Sequence, residues 1–210
     1  MKADLEGLFS AAAAEERAVF LPYLMAGIPD VEHAVSMFEA MADAGADGFE
    51  VGLPYADPLM DGPVIQRAGS LALRNGTTLE RGLEIVAAVR ERTGKPCLVM
   101  TYTNPVLRYG PEEFARRVAA AGGSGVIVAD LPVDEAGPVQ EAVEDAGLGM
   151  VLFAAPTTSE DRLRQVAEAR PVFVYGVAEM GVTGEREGTS DRAAALAERV
   201  RSLTDTPLVL

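Results

Sequence analysis

Short runs of apolar residues alternate along the chain with longer segments in which apolar and polar positions recur at helical spacing. Several runs are almost continuous in Val, Leu, Ile and Phe, which is typical of strands that are buried on both faces of a parallel sheet. The pattern predicts seven strands, at Val19–Met25, Gly48–Val51, Cys97–Thr101, Gly125–Ala129, Met150–Ala154, Val172–Tyr175 and Pro207–Leu210.

The segments between these runs carry helix start and stop signals. A proline opens the segment at Pro111, and glycines follow the predicted ends at Gly45, Gly94 and Gly122. The predicted helices are Asp30–Ala44, Thr78–Arg92, Pro111–Ala121, Asp134–Ala146, Ser159–Ala169 and Ser190–Leu203, with Leu5–Glu16 ahead of the first strand.

This alternation of strands and helices favours an α/β fold of the TIM (β/α)₈ barrel type over a doubly wound sheet. No Gly-x-Gly-x-x-Gly motif follows the first strand, which weakens a dinucleotide-binding alternative. We expect residues 1–210 to form a single barrel domain whose floor is covered by Leu5–Glu16. The seventh strand falls at Pro207–Leu210, so the pattern predicts a barrel without its last β-α unit.

Composition narrows the classes of function. Of the 210 residues, 49% are hydrophobic, and 18 Lys and Arg stand against 32 Asp and Glu, a net charge of −14. Such an acidic chain is not expected to bind nucleic acid or anionic membranes non-specifically. Phosphorylated substrates remain compatible, because backbone amides at helix N-termini bind phosphate. The charged start and the lack of a long apolar stretch predict a cytoplasmic protein.

Cys97 and His33 are the only cysteine and histidine. A single cysteine and a single histidine exclude a disulfide framework, a cysteine zinc site, a multi-histidine metal site and a Ser-His-Asp triad. We therefore expect no metal site, a buried Cys97 and an exposed His33.

The candidate chemistry is concentrated between Gly48 and Gln66. Glu50 ends a short apolar run, and a loop rich in Gly, Pro and Asp follows and carries Asp61. A carboxylate at the end of a buried strand is costly, and barrels place their catalytic groups at this position. Two such acids suggest general acid–base catalysis. The alternatives are that Glu50 caps a turn and that Asp61 forms an Asx turn before Gly62.

Several stretches, in the same order along the chain, resemble the alpha subunit of tryptophan synthase. The most specific runs from Glu50 to Pro63, and the resemblance extends over essentially the whole chain. The matching stretches are Phe20–Asp30, Glu50–Pro63, Met100–Pro105, Ala129–Pro132 and Gly181–Gly184. This resemblance implies a lyase of tryptophan biosynthesis that splits indole-3-glycerol phosphate into indole and glyceraldehyde 3-phosphate by a retro-aldol reaction.

The resemblance also implies roles for individual residues. Glu50 is expected to be the acid–base, with a pKa pushed toward neutrality by burial. Asp61 is expected to accept the indole N–H, and Tyr175 to orient Asp61. Thr183 is expected near the two acids, in a mobile loop in which the backbone N–H of Gly184 binds phosphate.

Further positions are expected to line the substrate pocket. An apolar slot suits a planar indole ring, although the same side chains are also compatible with filling of the barrel interior. The predicted lining residues are Tyr23, Met100, Tyr102, Ile127, Ala129 and Phe153.

The resemblance further implies a partner, the tryptophan synthase beta subunit, in a heterotetramer of two alpha and two beta subunits. Pro54 and Asp57 are expected to contact that partner. No cofactor is expected in this chain, and pyridoxal phosphate is expected in the beta subunit.

Two other functions stay open. Barrels of this kind hold phosphate largely with loops after the seventh and eighth strands, which would lie beyond Leu210. A truncated, catalytically weak alpha subunit that only binds the beta subunit is therefore one alternative. The other is a different phosphate-binding barrel enzyme of the same pathway, although the spacing of Glu50 and Asp61 and the lack of a strand-end catalytic lysine count against it.

Overall fold

Seven strands form one parallel sheet in the computed structural model, which describes residues 1–177 and 191–210. Each strand pairs with the next along the chain, in the order β1 to β7. This order is that of a TIM-type barrel and confirms the predicted fold class. The strands are β1 (Tyr23–Met25), β2 (Phe49–Gly52), β3 (Cys97–Thr101), β4 (Gly125–Val128), β5 (Gly149–Ala154), β6 (Phe173–Gly176) and β7 (Leu208–Val209).

Helices cover the outer face of this sheet. In the described part of the chain they are α1 (Lys2–Ala14), α2 (Ala34–Asp43), α3 (Pro63–Arg74), α4 (Leu79–Thr93), α5 (Thr103–Tyr109), α6 (Pro111–Ala120), α7 (Gly137–Asp145), α8 (Glu160–Glu168) and α9 (Asp191–Arg201), with a 3₁₀ turn at Val133–Glu135. Within residues 1–177 and 191–210, none of the helices combines the length and the apolar character that a membrane span requires.

The predicted strands are confirmed to within a few residues, whereas some helix boundaries are wrong. The segment predicted from Asp30 becomes helical only at Ala34, because the Asp30 carboxylate accepts hydrogen bonds from the His33 backbone and ring nitrogens, each at 2.9 Å, and closes a turn instead. The segment predicted from Asp134 begins its α-helix at Gly137.

Two helices, α3 and α5, were not predicted at all. Helix α3 follows the loop after β2, and α5 begins almost directly after β3. Each contains a proline, Pro63 or Pro105, in its first turn. A proline there leaves the helix intact, because the first N–H groups have no partner within the helix.

Strand side chains alternate between two apolar clusters. One lies between the sheet and the helices and includes Val51, Val99 and Phe38 of α2. The other, here called the inner cluster, lies on the opposite face of the sheet. It consists of Leu5, Leu98, Ile127, Val151, Val172 and Phe173. Cys97 belongs to the outer cluster and is fully buried, as predicted.

Helix α1 closes the inner cluster at the N-terminal ends of the strands. Leu5 is one of its members, and the Phe9 ring packs against Phe173 with ring centroids 5.6 Å apart. The backbone N–H of Lys2 also donates to the carbonyl of Gly147, just before β5, at 3.0 Å. These contacts confirm that the helix covers the barrel floor.

Candidate active site

A narrow cavity lies at the carboxyl ends of the first three strands, between the loop that follows β2 and helix α3. Four of the predicted site residues line it: Tyr23, Met100, Tyr102 and Asp61. The complete lining is Tyr23, Met25, Leu53, Tyr55, Pro58, Asp61, Ile65, Gly69, Met100 and Tyr102. The wall is mainly apolar and aromatic, with one carboxylate, as suits a flat ring that carries a single polar N–H.

Glu50 lies in the middle of β2 with only 3% of its surface exposed. Its backbone N–H donates to the carbonyl of Pro22 at 3.0 Å, so the strand fixes the position of the side chain. Burial raises the pKa of the Glu50 carboxyl to about 7. A carboxyl with that pKa exists in both protonation states near neutral pH and is therefore suited to both donate and accept a proton.

Tyr23 of β1 stands beside Glu50, because the parallel register aligns these two residues. Burial raises the pKa of the Tyr23 hydroxyl far above its ordinary value, with further contributions from the charges of Asp61 and Glu50. The hydroxyl occupies the space above Gly52, where an added Cβ would lie 2.1 Å from the Tyr23 oxygen. Gly52 is therefore required for Tyr23 to reach the cavity.

Tyr175 of β6 faces Glu50 rather than Asp61. Burial, followed by the negative charge of Glu50, raises the pKa of Tyr175 to about 12. Its ring packs on Phe153 with centroids 5.3 Å apart. Among the described residues no hydrogen bond joins Tyr175 to Asp61, and the tyrosine hydroxyl that acts on the Asp61 carboxyl is that of Tyr102. Orientation of Asp61 by Tyr175 stays a prediction.

Asp61 is half-buried at the cavity rim, opposite Tyr102. Partial burial raises the pKa of the Asp61 carboxyl, and the nearby Tyr102 hydroxyl acts in the opposite direction. Tyr102 is only 3% exposed, and its hydroxyl forms no hydrogen bond of ordinary geometry with the described residues. The Asp61 backbone is held by a turn, because its N–H donates to the carbonyl of Pro58 at 3.1 Å and its own carbonyl accepts from Gln66 at 2.9 Å.

The remaining predicted lining residues lie deeper or to the side. Ile127 is fully buried in the inner cluster, and Phe153 packs against that cluster. Ala129 follows β4 directly, with its N–H donating to the carbonyl of Thr101 at 2.9 Å. Direct contact between these three residues and a substrate stays a prediction.

Two further predictions fall on residues that the structure does not describe. Thr183 and Gly184 both lie outside the described ranges. In the described part of the chain, no group of three His, Cys, Asp or Glu side chains is arranged to hold a metal ion.

The predicted partner residues lie on the outer side of the same loop. Asp57 is exposed and Pro54 is half-buried at the edge of a second, open groove of about 910 Å³ that extends to α5. Leu59, with 79% of its surface exposed, and Met60 give this loop an apolar outer side. Their contact with a partner stays a prediction.

Sequence reasoning missed several cavity residues. Ile65 lies on α3, a helix that the pattern did not predict, and Leu53 and Pro58 frame the loop. Tyr55 lies within the Glu50–Pro63 stretch, but its neighbours Pro54 and Asp57 are predicted to contact the partner, and Tyr55 itself is given no role. The available signal was its position in the sequence between the two acids, Glu50 in β2 and Asp61 in the loop that follows.

Comparison with known proteins identifies the family. A family model described as tryptophan synthase alpha chain matches residues 9–210. The tryptophan synthase alpha chain of Streptomyces avermitilis is 44% identical over 204 residues, which cover 97% of this chain and 74% of the relative. That of Solibacter usitatus is 45% identical over 203 residues, covering 97% and 76%.

Comparison with solved structures gives the same family. A Mycobacterium tuberculosis tryptophan synthase structure matches with a TM-score of 0.91 and 43% identity, covering 97% of this chain and 78% of that one. A tryptophan synthase α₂β₂ complex from Pyrococcus furiosus matches with a TM-score of 0.83 and 35% identity, covering 90% and 76%. This chain therefore belongs to the tryptophan synthase alpha chain family.

Proposed function

We propose that this chain cleaves indole-3-glycerol phosphate to indole and glyceraldehyde 3-phosphate, with Glu50 as the acid–base. The observation that carries the proposal is the Glu50 carboxyl, buried within β2 with a pKa raised to about 7. It lies beside Tyr23, which lines a cavity that bears a second carboxylate, Asp61. Family membership supports the same activity.

Two proton transfers are needed, and one positioned carboxyl can perform both. The protonated Glu50 carboxyl gives its proton to carbon 3 of the indole ring. The resulting carboxylate then takes the proton of the hydroxyl on the neighbouring side-chain carbon. The bond between that carbon and carbon 3 breaks, its electron pair restores the indole ring, and the hydroxyl oxygen becomes the aldehyde oxygen.

Asp61 acts on the other side of the ring. Protonation at carbon 3 leaves positive charge on the ring nitrogen, and the Asp61 carboxylate accepts the N–H hydrogen bond and stabilises that charge. The aromatic walls formed by Tyr23 and Tyr102, together with Met100, hold the ring flat in the cavity that Asp61 lines.

The further parts of the proposal concern the setting of the reaction. The chain needs no cofactor of its own, and pyridoxal phosphate belongs to the beta subunit. Pro54 and Asp57 contact that subunit in a complex of two alpha and two beta subunits, a composition supported by the Pyrococcus furiosus α₂β₂ relative. Residues 1–210 act as one barrel domain, and the reaction takes place in the cytoplasm.

The test is release of indole from indole-3-glycerol phosphate by the chain and by its Glu50→Gln variant. The amide keeps the shape of the side chain but cannot shuttle a proton at neutral pH, so activity should fall by about three orders of magnitude or more. A variant that keeps activity within about threefold of the unmodified chain would overturn the role of Glu50. Stimulation of the beta subunit without any indole release would instead favour a purely partner-binding chain.

A further inference from the structure

One hydrogen bond ties the site loop to the neighbouring helix. The side-chain amide of Asn104, on α5, donates to the hydroxyl oxygen of Tyr55 at 2.8 Å. Tyr55 lies in the loop after β2, between the residues predicted to contact the partner and Asp61. The bond therefore connects the loop after β2 to a helix that starts directly after β3.

The hydrogen bond from Asn104 restrains Tyr55, and packing between the two rings restrains Tyr102 in turn. The two rings pack with centroids 5.2 Å apart and an interplanar angle of 31°, and both line the cavity. Such an offset contact between rings restricts both of them. The Tyr102 hydroxyl, buried and without an ordinary hydrogen bond among the described residues, faces the Asp61 carboxylate.

The helix that carries Asn104 is itself fixed. Its first residue, Thr103, donates to the Asp130 carboxylate through its backbone N–H at 2.7 Å and through its hydroxyl at 2.8 Å. Asp130 follows β4, so the start of α5 is fastened to the sheet. Asn104 is thus carried by a helix that is fastened to the sheet, and Tyr55 packs on the Tyr102 ring. The hydrogen bond between Asn104 and Tyr55 therefore restricts where Tyr102 lies relative to Asp61.

We propose that Asn104 and Tyr55 are positioning residues, whose hydrogen bond holds the Tyr102 hydroxyl against Asp61 and so aims the Asp61 carboxylate at the substrate ring. This inference deepens the proposed function and rests on it. A hydroxyl that faces Asp61 and is itself oriented by packing is the kind of supporting group that an accurately placed catalytic carboxylate needs.

The test uses Tyr55→Phe and Asn104→Ala, which remove the bond from either side while the first keeps the ring contact. Loss of one positioning hydrogen bond should lower kcat for indole release by about fivefold to tenfold with little change in KM. Because both variants break one bond, the double variant should be no worse than either single one. Asn104→Asp, which can accept from the Tyr55 hydroxyl, should restore most of the activity.

Tyr109→Phe is the matched control. It removes a tyrosine hydroxyl from the last residue of the same helix, where that hydroxyl donates to Glu80 on α4, away from the cavity of Asp61. The chain is assayed alone, without the beta subunit. Equal losses in Tyr55→Phe and Tyr109→Phe, or a Tyr55→Phe variant with unchanged kcat, would overturn the inference.

A second readout does not depend on turnover. Carbon-13 NMR of labelled aspartates, with the Asp61 signal assigned through Asp61→Asn, follows the pKa of that carboxyl. In the unmodified chain the Tyr102 hydroxyl lowers the pKa of Asp61. When Tyr55→Phe lets that hydroxyl move away, the Asp61 pKa should rise further, and it should stay unchanged in Tyr109→Phe. An unmodified chain that releases no indole contradicts the proposed function, whereas an Asp61 pKa indifferent to Tyr55→Phe contradicts the positioning role.

Discussion

Asp61 is more exposed than Glu50 and is held by a turn rather than by a strand, which fits a group that stabilises charge rather than one that carries a proton. Asp61→Asn keeps the size of the side chain and removes its charge. Turnover should fall by about a hundredfold or more, as is usual when a group that stabilises transition-state charge is lost, while the variant still binds indole. Indole release and calorimetry with indole measure the two effects. Unchanged turnover with weakened indole binding would make Asp61 a binding residue only.

Gly52 has a precise steric reason to lack a side chain. An added Cβ would meet the hydroxyl oxygen of the buried Tyr23 at 2.1 Å and its ring carbon Cζ at 2.6 Å. Gly52→Ala must therefore displace the Tyr23 ring, and overpacking of this kind should lower the free energy of unfolding by about 1–3 kcal/mol. Urea unfolding measures the loss.

The control for that substitution is Gly7→Ala. Gly7 lies inside α1, and an added Cβ there would meet nothing within 4 Å. Alanine favours a helix over glycine, so this variant should be as stable as the unmodified chain or slightly more so. If both variants unfold at the same urea concentration as the unmodified chain, Tyr23 moves freely and the steric argument fails.

Single residues differ in how far the sequence could predict them. Glu50 and Asp61 were identified because a carboxylate after an apolar run is unusual and because the surrounding stretch is specific. The neighbour of Asp61 was not, because Tyr102, just after β3, and Tyr175, in β6, both lie near the carboxyl ends of strands. Only the packed structure shows that Tyr102 acts on Asp61 and that Glu50 acts on Tyr175. The local sequence pattern does not give the distances between strand ends, and these distances decide which tyrosine lies near which acid.

At the scale of elements, the loop after β2 has an inner side that carries Asp61 and an outer side that carries Asp57. Asp57→Ala should leave folding and the activity of the chain alone unchanged, yet lower mutual activation with the beta subunit by about fivefold, a typical size for coupling between sites. The measurement is the activity of each subunit with and without the other. Asp145→Ala, an exposed acid in α7, is the matched control. Equal activation of both variants would contradict the contact.

The two helices that the pattern missed lie beside the site: α3 lines the cavity, and α5 lines the second groove. Helix α3 begins at Pro63, in a run of Asp, Gly and Pro that indicates a turn, and short α5 carries Pro105 in its first turn. Both signals were interpreted as loops, although proline is tolerated at a helix start. As a result the sequence could place the two acids but not Ile65 or Asn104, which depend on these helices.

At the scale of the whole molecule, strand number and order followed from the alternation of apolar runs, because parallel β-α units can be joined only by crossover connections of fixed hand. The shape of the cavity did not follow. The shape of the cavity depends on how the inner cluster packs against the sheet and on which aromatic rings pack together, as Tyr55 and Tyr102 do. These are properties of side-chain packing between distant segments, to which a local pattern is blind.

The buried acid also has a consequence for the stability of the whole molecule. The pKa of Glu50 is about 7 in the folded chain against 4.5 for an ordinary glutamate, so the folded state retains a proton that the unfolded state has lost between these two values. Folding stability therefore decreases as pH rises through this window, because the unfolded state binds fewer protons. Below pH 4.5 the carboxyl is neutral in both states and costs nothing through this effect.

Glu50→Gln removes the titration of Glu50 and leaves every other titrating group in place. The free energy of unfolding of the unmodified chain, minus that of the variant, should fall by about 3 kcal/mol between pH 4.5 and pH values above 7. Urea unfolding of both chains at several pH values gives this difference directly, and every other titrating group cancels because the two chains share it. A difference that stays flat from pH 4 to pH 8 would mean that Glu50 is already ionised in the folded state, and the carboxyl would then lack the proton that the proposed cleavage begins with.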